Sequence, residues 1–259
     1  MNGKIIDFHT HPFGRSITNI CSHKDIITMN TETTVDVFRR LGIGKICGSV
    51  IGHFDAENKW AKARTNKDEA LALWEELGDF YVPGFHVHPE HVEESIEEIH
   101  RMAAKGVRLI GELVPYFDDW KMTYAAPEFW EIIQEAAKFD MVVSIHSQDE
   151  DAMDELVKNN KNVKIVAAHP GEYEELVRHL ERAKLSDNYF VDLSGYGIFR
   201  YGALRHLVDV FGEDRVIFGS DYPTCNPCMY LGGVVDDELL TDREKEKILY
   251  LNAKRILNL

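Results

Sequence analysis

The sequence predicts an α/β fold, namely a (β/α)8 TIM barrel, and three observations support this prediction. Short apolar runs alternate with amphipathic segments along the whole 259-residue chain. The runs number eight, which is the strand count of a closed parallel barrel. The length is also typical of such barrels, so we expect a single domain over residues 1–259.

The predicted strands include several that are rich in valine and isoleucine, as expected for a parallel sheet buried on both faces. In chain order the strands are Ile5–Phe8, Lys45–Ile51, Phe80–Phe85, Val107–Leu113, Met141–Ile145, Val163–Ala168, Tyr189–Leu193 and Arg215–Phe218. The segments between and after them are typical of amphipathic helices. These predicted helices are Thr34–Leu41, Asp68–Leu77, His91–Lys105, Pro127–Phe139, Asp149–Asn159, Gly171–Leu185, Tyr201–Phe211 and Asp242–Leu257.

A long polar connection, residues 12–33, follows the first predicted strand. Connections of this length often form binding loops, and in a barrel this one would emerge at the face that carries active sites. Arg15 and Lys24 lie within it. Arg15 is therefore a candidate for binding a substrate carboxylate, with simple surface solvation as the alternative.

The net charge and the hydropathy of the chain argue against nucleic-acid and membrane partners. The net charge is −15, from 29 basic and 44 acidic residues, and this balance argues against nucleic-acid binding. We see no apolar run near the roughly 20 residues that span a bilayer, and no basic leader followed by an apolar core. We expect a cytoplasmic protein that acts on a small molecule without a nucleic-acid or membrane partner. A homo-oligomer stays open.

The four cysteines are too few for a disulfide scaffold in a chain of this length. Cys225 and Cys228 form a Cys-x-x-Cys pair, but a zinc knuckle would require a second pair. We expect the pair to pack in a loop near the substrate, around a turn at Asn226-Pro227, and its role stays open.

Metal-ligating side chains gather at the ends of the predicted strands. His9 and His11 close the first strand, and their spacing places both rings on one side of it. In a barrel the carboxyl ends of the strands converge. The side chains at those ends are His9, His11, Glu112, His146, His169 and Asp221. Imidazole and carboxylate groups are typical ligands of Zn²⁺, Mn²⁺ or Fe²⁺.

Five stretches resemble the amidohydrolase superfamily, in particular the branch that contains aminocarboxymuconate-semialdehyde decarboxylase and related hydrolases and lactonases. They run in family order and are Ile6–Pro12, Ser144–Ser147, Ala168–Gly171, Phe218–Pro223 and Asn252–Leu257. The resemblance covers nearly the whole chain and implies a metal-dependent barrel enzyme.

The resemblance also implies a role for each ligand. His9, His11, His146 and Asp221 would bind the principal divalent metal, which we expect to be zinc, with manganese and iron as alternatives. His169 would hold or activate a metal-bound water, or bind a second metal. Asp221 would also serve as general base.

The role of Glu112 decides whether the site binds one metal ion or two, and the sequence leaves both possibilities open. The sequence Ile110-Gly111-Glu112 resembles the strand-4 glutamate of TatD-like deoxyribonucleases, and a bridging carboxylate at this position would support two metals. The alternative is a glutamate that orients the substrate or forms an ion pair.

Two further residues are candidates for the substrate pocket. His86 begins a second His-x-His motif at the end of the third predicted strand, and Tyr116 follows the fourth. Asp7 shares a face with His9 and lies deeper, so we expect it to support a ligating histidine.

We therefore predict a metal-dependent hydrolase of the amidohydrolase type, in which an activated water attacks a carbonyl group of a small polar molecule. The first alternative is a non-oxidative decarboxylase that uses the same metal site. A TatD-like nuclease is disfavoured by the acidity of the chain. A barrel that binds a metal or metabolite without catalysis is disfavoured by the intact ligand set.

Overall fold

Eight parallel strands form the central sheet of the chain, which a computed structural model describes over residues 3–13, 18–19 and 30–259. The strands are β1 (Ile5–Asp7), β3 (Ile43–Gly48), β5 (Tyr81–Phe85), β6 (Leu109–Leu113), β7 (Val142–His146), β8 (Lys164–Ala168), β9 (Tyr189–Asp192) and β10 (Val216–Ile217). A separate antiparallel pair is formed by β2 (Thr18–Asn19) and β4 (Gly52–His53). The predicted order of eight parallel strands is confirmed.

The first and last strands of this sheet are its two edges, because no strand ladder pairs β1 with β10 in the described residues. The segments that follow these two strands are nevertheless hydrogen-bonded to each other. The backbone N–H of Phe8 donates to the carbonyl of Phe218 (2.9 Å), and that of Asp221 donates to the carbonyl of His9 (2.8 Å). The sheet is thus curled, and its edges meet through these few bonds rather than through the full ladder that we predicted.

Helices follow the strands in alternation. In chain order they are α1 (Thr31–Arg40), α2 (Lys59–Leu77), α3 (Val92–Ala104), α4 (Pro127–Lys138), α5 (Glu150–Asn159), α6 (Tyr173–Arg182), α7 (Ala203–Phe211), α8 (Pro227–Val235), α9 (Asp242–Glu246) and α10 (Asn252–Leu257). A 3₁₀ turn at Gly78–Phe80 precedes β5, and a π-helical turn at Lys247–Leu251 joins α9 to α10. No helix in the described part of the chain combines the length and the apolarity that crossing a membrane requires.

Two helices begin earlier than predicted because asparagines cap them. The Asn58 side chain accepts a hydrogen bond from the N–H of Ala61 (2.8 Å), so α2 begins at Lys59 rather than at Asp68. The Asn30 side chain accepts one from Thr33 (2.9 Å) in the same way at the start of α1.

Helix α8 replaces a predicted loop. Asn226 caps it through a hydrogen bond from the N–H of Cys228 (3.0 Å), and Pro227 occupies the first helical turn, where its missing N–H is not needed. The dipeptide that we predicted to be a turn is therefore the start of a helix.

In the described residues, apolar side chains form two buried clusters on opposite faces of the sheet. The larger cluster packs between the sheet and its helices and includes Val143 and Ile145 of β7. The smaller cluster includes Val142 of the same strand, together with Val166, and packs against α10. Because neighbouring strand residues point to opposite faces, His146 lies on the face of Val142, away from the helices. The candidate metal ligands gather at the carboxyl end of this face.

Candidate metal centre

His9 and His11 follow β1, and the Nε2 atoms of their rings face each other. Their Nε2 atoms are 3.2 Å apart. Each Nδ1 atom faces an acceptor on the outer side, which is Asp192 Oδ2 at 2.8 Å for His9 and the Ser49 carbonyl at 3.0 Å for His11. When Nδ1 donates to these acceptors, both Nε2 lone pairs are free to bind a metal.

Glu112 reaches the centre through an irregularity in β6. A regular strand would place Glu112 on the face of Ile110, which packs against the helices. The pairing with β7 shifts between Ile110 and Leu113, where Gly111 has a left-handed φ of 94°. A Cβ atom on Gly111 would lie 2.3 Å from the Ser144 carbonyl oxygen, so only glycine fits this close approach.

The carboxylate of Glu112 lies between two pairs of histidines. Its Oε2 atom is 3.1 Å from Nε2 of His11 and 3.3 Å from Nε2 of His9. Its Oε1 atom is 3.0 Å from Nδ1 of His146 and 3.3 Å from Nε2 of His169. We call His9, His11 and Glu112 the first triad, and Glu112, His146 and His169 the second triad.

Both triads fit a divalent metal ion. A metal bound at about 2.1 Å by nitrogen and oxygen ligands holds neighbouring ligand atoms about 3 Å apart. The first triad shows separations of 3.1, 3.2 and 3.3 Å. The second triad shows 3.0, 3.2 and 3.3 Å. The donor atoms are thus spaced for one ion in each triad, with Glu112 shared between them.

Asp221 flanks the first triad. Its Oδ1 atom is 3.6 Å from Nε2 of His11 and 3.8 Å from Nε2 of His9. Asp221 and His169 both have left-handed backbones, with φ of 59° and 69°. Residues other than glycine seldom adopt this conformation, and in folded proteins it concentrates at functional sites.

Opposite charges shift the pKa values of the buried groups at the site. Burial alone would lower the pKa of His9, but the carboxylates of Asp192 and Glu112 raise it well above its ordinary value. Burial alone would raise the pKa of Glu112, but the charge of His9 and hydrogen bonds from the other histidines hold it well below its usual range. Glu112 is therefore an anion at neutral pH and is ready to bind a cation.

Asp192 and Ser194 support the site and were missed by the sequence analysis. Asp192 ends β9 and is fully buried against His9. Ser194 Oγ lies 2.9 Å from Nδ1 of His169. A signal was present, because Asp192 is the lone charged residue in the apolar run Tyr189–Leu193.

A cavity of about 770 Å³ opens above the two triads. Its floor contains His11, Glu112, His146, His169 and Asp221. Its wall is largely aromatic and is formed by Ile51, His53, Val114, Tyr116, Phe117, Gly195, Tyr196, Phe199, Thr224, Cys225 and Tyr230.

Tyr116 lies where we predicted, at the wall of this cavity, and its ring centroid is 5.4 Å from that of His146. Cys225 also lines the cavity, and its Sγ atom is 3.8 Å from Oδ2 of Asp221. Cys228 is exposed in the first turn of α8. The two cysteines therefore occupy different environments.

Three other candidates are placed differently. His86 is buried with its Nδ1 atom 3.0 Å from Oδ2 of Asp118, and it does not belong to the described cavity wall. Asp7 accepts hydrogen bonds from the backbone N–H groups of Ser220 and His9, so it supports the chain rather than a histidine ring. Arg15 lies outside the described residues.

The sequence matches the family model described as amidohydrolase over residues 6–259. The chain belongs to the amidohydrolase family. The resemblance that we drew from five short stretches is thereby confirmed. No curated protein matches this amidohydrolase in sequence.

Several solved structures share the fold of this amidohydrolase. The 5-carboxyvanillate decarboxylase from Sphingomonas paucimobilis is 14% identical, with a TM-score of 0.77 over 99% of both chains. The 2,6-dihydroxybenzoate decarboxylase from Rhizobium is 14% identical, with a TM-score of 0.76 over 100% of this chain and 99% of that one. The dihydroxybenzoic acid decarboxylase from Polaromonas sp. JS666, with bound manganese and 2-nitroresorcinol, is 13% identical, with a TM-score of 0.73 over 100% and 98%.

Proposed function

We propose that this amidohydrolase is a metal-dependent, non-oxidative decarboxylase of a small aromatic acid. The observation that carries the proposal is the pair of metal-binding triads on the floor of an aromatic-walled cavity. The three solved structures named above are decarboxylases, and we take this as support for decarboxylation over the hydrolysis that we predicted from the sequence. In this proposal the curled sheet works as one (β/α)8 barrel domain over residues 1–259.

The metal would be held by His9, His11, Glu112, His146 and His169, with Asp221 beside the first triad. When bound, a divalent ion would hold the substrate carboxylate and neutralise charge that develops next to it. The triads fit two ions that share Glu112. Zinc, manganese and iron all suit these ligands, and the manganese in the Polaromonas structure makes Mn²⁺ the first ion to test.

Asp221 is the residue that we assign to proton transfer. Decarboxylation replaces a carbon–carboxylate bond by a carbon–hydrogen bond, so a proton must reach the ring carbon when carbon dioxide leaves. The Asp221 carboxyl group lines the cavity beside the first triad, where it can carry this proton. His169, held at the second triad, would keep the substrate carboxylate oriented.

The cavity wall is assigned to substrate binding. Tyr116, Tyr196 and Phe199 are all more than half exposed although they line the cavity, so their rings are free to pack against a planar substrate. Arg15 stays a predicted partner for a polar group of the substrate.

The test is a comparison of two reactions on the same metal-loaded protein. Protein loaded with Mn²⁺ or Zn²⁺ is incubated with hydroxylated benzoic acids and, separately, with lactones, esters and amides of similar size. We expect carbon dioxide release from an aromatic acid and no hydrolysis. Hydrolysis without carbon dioxide release would overturn the proposal.

His146→Ala should abolish activity and metal binding at the second triad. His100→Ala is the matched control, because His100 is exposed and contacts Glu135 on the helical surface. Metal analysis should give two equivalents for the wild type. Glu112→Gln should bring the metal content below two equivalents and slow carbon dioxide release about 100-fold, since the shared carboxylate supplies a ligand charge to both triads.

A further inference from the structure

A single buried hydroxyl group links the outer sides of the two triads. Ser194 follows β9, and its side chain is fully buried. Its Oγ atom is 2.9 Å from Nδ1 of His9 and 2.9 Å from Nδ1 of His169. The same oxygen is hydrogen-bonded to Oδ1 of Asp192. One histidine of each triad therefore meets the same hydroxyl.

The number of available protons determines how this cluster is connected. A serine hydroxyl has one proton to donate and accepts through its lone pairs, while an ionised carboxylate only accepts. The Ser194 hydroxyl therefore donates to Oδ1 of Asp192. Its lone pairs are then left to accept from a histidine Nδ1–H.

His169 depends on this acceptor more than His9 does. Nδ1 of His9 also has Oδ2 of Asp192 at 2.8 Å, whereas the hydrogen bond described for Nδ1 of His169 is the one to Ser194. The backbone after Ser194 packs against the same ring, since a Cβ atom on Gly195 would lie 2.3 Å from Nδ1 of His169. The ring of His169 is thus held by the segment that carries Ser194.

We propose that Ser194 is a positioning residue that holds His169 in the Nδ1–H tautomer, with Nε2 directed at the second triad. The inference rests on the metal centre of the proposed function and concerns how that centre is kept ready. The hydroxyl matters more for the second triad, because Nδ1 of His9 keeps its hydrogen bond to Asp192 when the Ser194 hydroxyl is removed. Loss of the hydroxyl therefore weakens the second triad more than the first.

The test is a calorimetric titration of metal-free protein with Mn²⁺ and, separately, with Zn²⁺. By the first and second ion we mean the ions held by the first and second triads. In Ser194→Ala we expect the affinity for the second ion to fall about 10- to 100-fold, as for other groups that orient metal-binding histidines. The first ion should change by less than about threefold, because Asp192 still binds His9. Ser194→Thr, which keeps the hydroxyl, should restore the affinity for the second ion.

Ser186→Ala is the matched control, because Ser186 is also buried but its hydroxyl donates to the Lys161 carbonyl. Unchanged affinities in Ser194→Ala, or an equal loss at both ions, would overturn the proposal. If the wild type binds one ion, a lower affinity in Ser194→Ala that Ser194→Thr restores supports the role of Ser194, and an unchanged affinity refutes it.

A second measurement requires no variant. Long-range ¹H–¹⁵N spectra of the Zn²⁺-loaded wild type should show His169 protonated at Nδ1, and protonation at Nε2 would contradict the proposal. Neither readout depends on catalysis. A protein that binds two ions and shows these effects but releases no carbon dioxide would refute the proposed function alone.

Discussion

The Oδ2 atom of Asp192 lies 2.8 Å from Nδ1 of His9, and both side chains are buried. A carboxylate in this position accepts the Nδ1 proton and leaves Nε2 free for metal. We predict that Asp192→Asn lowers the metal affinity of the first triad about 10- to 100-fold, because a neutral amide oxygen still accepts from Nδ1 but no longer raises the basicity of the His9 ring. Competition with a chromophoric chelator measures the affinity.

Asp209→Asn is the control for this variant, because Asp209 is an exposed acid paired with Arg205 on α7. Equal metal affinities for Asp192→Asn and Asp209→Asn would show that Asp192 does not orient His9.

Gly195 and Gly202 provide a matched pair for the second triad. Both have left-handed backbones, with φ of 61° and 80°, so the backbone strain of alanine should cost roughly 1 kcal/mol in unfolding free energy at either position. A Cβ atom at Gly195 would lie 2.3 Å from Nδ1 of His169, whereas a Cβ atom at Gly202 would meet nothing within 4 Å. We expect Gly195→Ala to lose metal affinity and Gly202→Ala to keep it.

The readouts are thermal unfolding and metal titration. If both alanine variants bind metal like the wild type, the packing of Gly195 against His169 has no role in ligand placement.

Tyr116→Ala should weaken substrate binding rather than slow the chemical step. Tyr116 is 63% exposed at the cavity wall and belongs to neither triad. A lost ring contact of about 1 kcal/mol corresponds to about a fivefold rise in KM for the aromatic acid, with kcat nearly unchanged. Steady-state carbon dioxide release measures both constants. Tyr173→Ala is the control, since Tyr173 is 68% exposed and lies outside the cavity.

His179 should make the protein sensitive to acid. Burial, together with the charge of Arg182, lowers the pKa of His179 from 6.5 to about 3. Below about pH 6.5 the unfolded chain binds a proton at His179, whereas the folded chain binds it only below about pH 3. The free energy of unfolding therefore falls as the pH falls through this window. At pH 5 the loss is about 2 kcal/mol relative to pH 7.

In His179→Gln this part of the pH dependence should disappear. Urea unfolding of metal-free protein at pH 7 and pH 5 measures it, and an equal pH dependence in both proteins would refute the assignment. Glutamine retains an oxygen that can accept from the Tyr189 hydroxyl, which lies 2.7 Å from Nδ1 of His179.

The strand order was predictable because apolar runs of valine and isoleucine mark buried strands directly. The strand ends then placed His9, His146 and His169 at one edge, as they are in the structure. The orientation of Glu112 was not predictable in this way, because it depends on a pairing shift at Gly111 that reverses the normal alternation. A local irregularity of this kind has no periodic signal.

Helix α8 and the partners of the histidines were missed for different reasons. Asn226-Pro227 fits both a turn and a capped helix start, and only the packing that follows distinguishes them. His86 was expected in the pocket because of its strand position, but Asp118 from the next connection binds it instead. Contacts between distant segments decide such cases, and a single sequence does not contain them.

The hydrogen bond from Asp221 to the carbonyl of His9 joins residues near opposite ends of the chain. During synthesis His9 and His11 leave the ribosome long before Asp221 does, so the first triad lacks its flanking carboxylate until most of the chain has been made. An ion held by the first triad together with Asp221 would reinforce the contact between the two edges of the sheet. Metal binding would thus stabilise the fold as well as complete the site, because an ion that binds the folded chain shifts the folding equilibrium towards it.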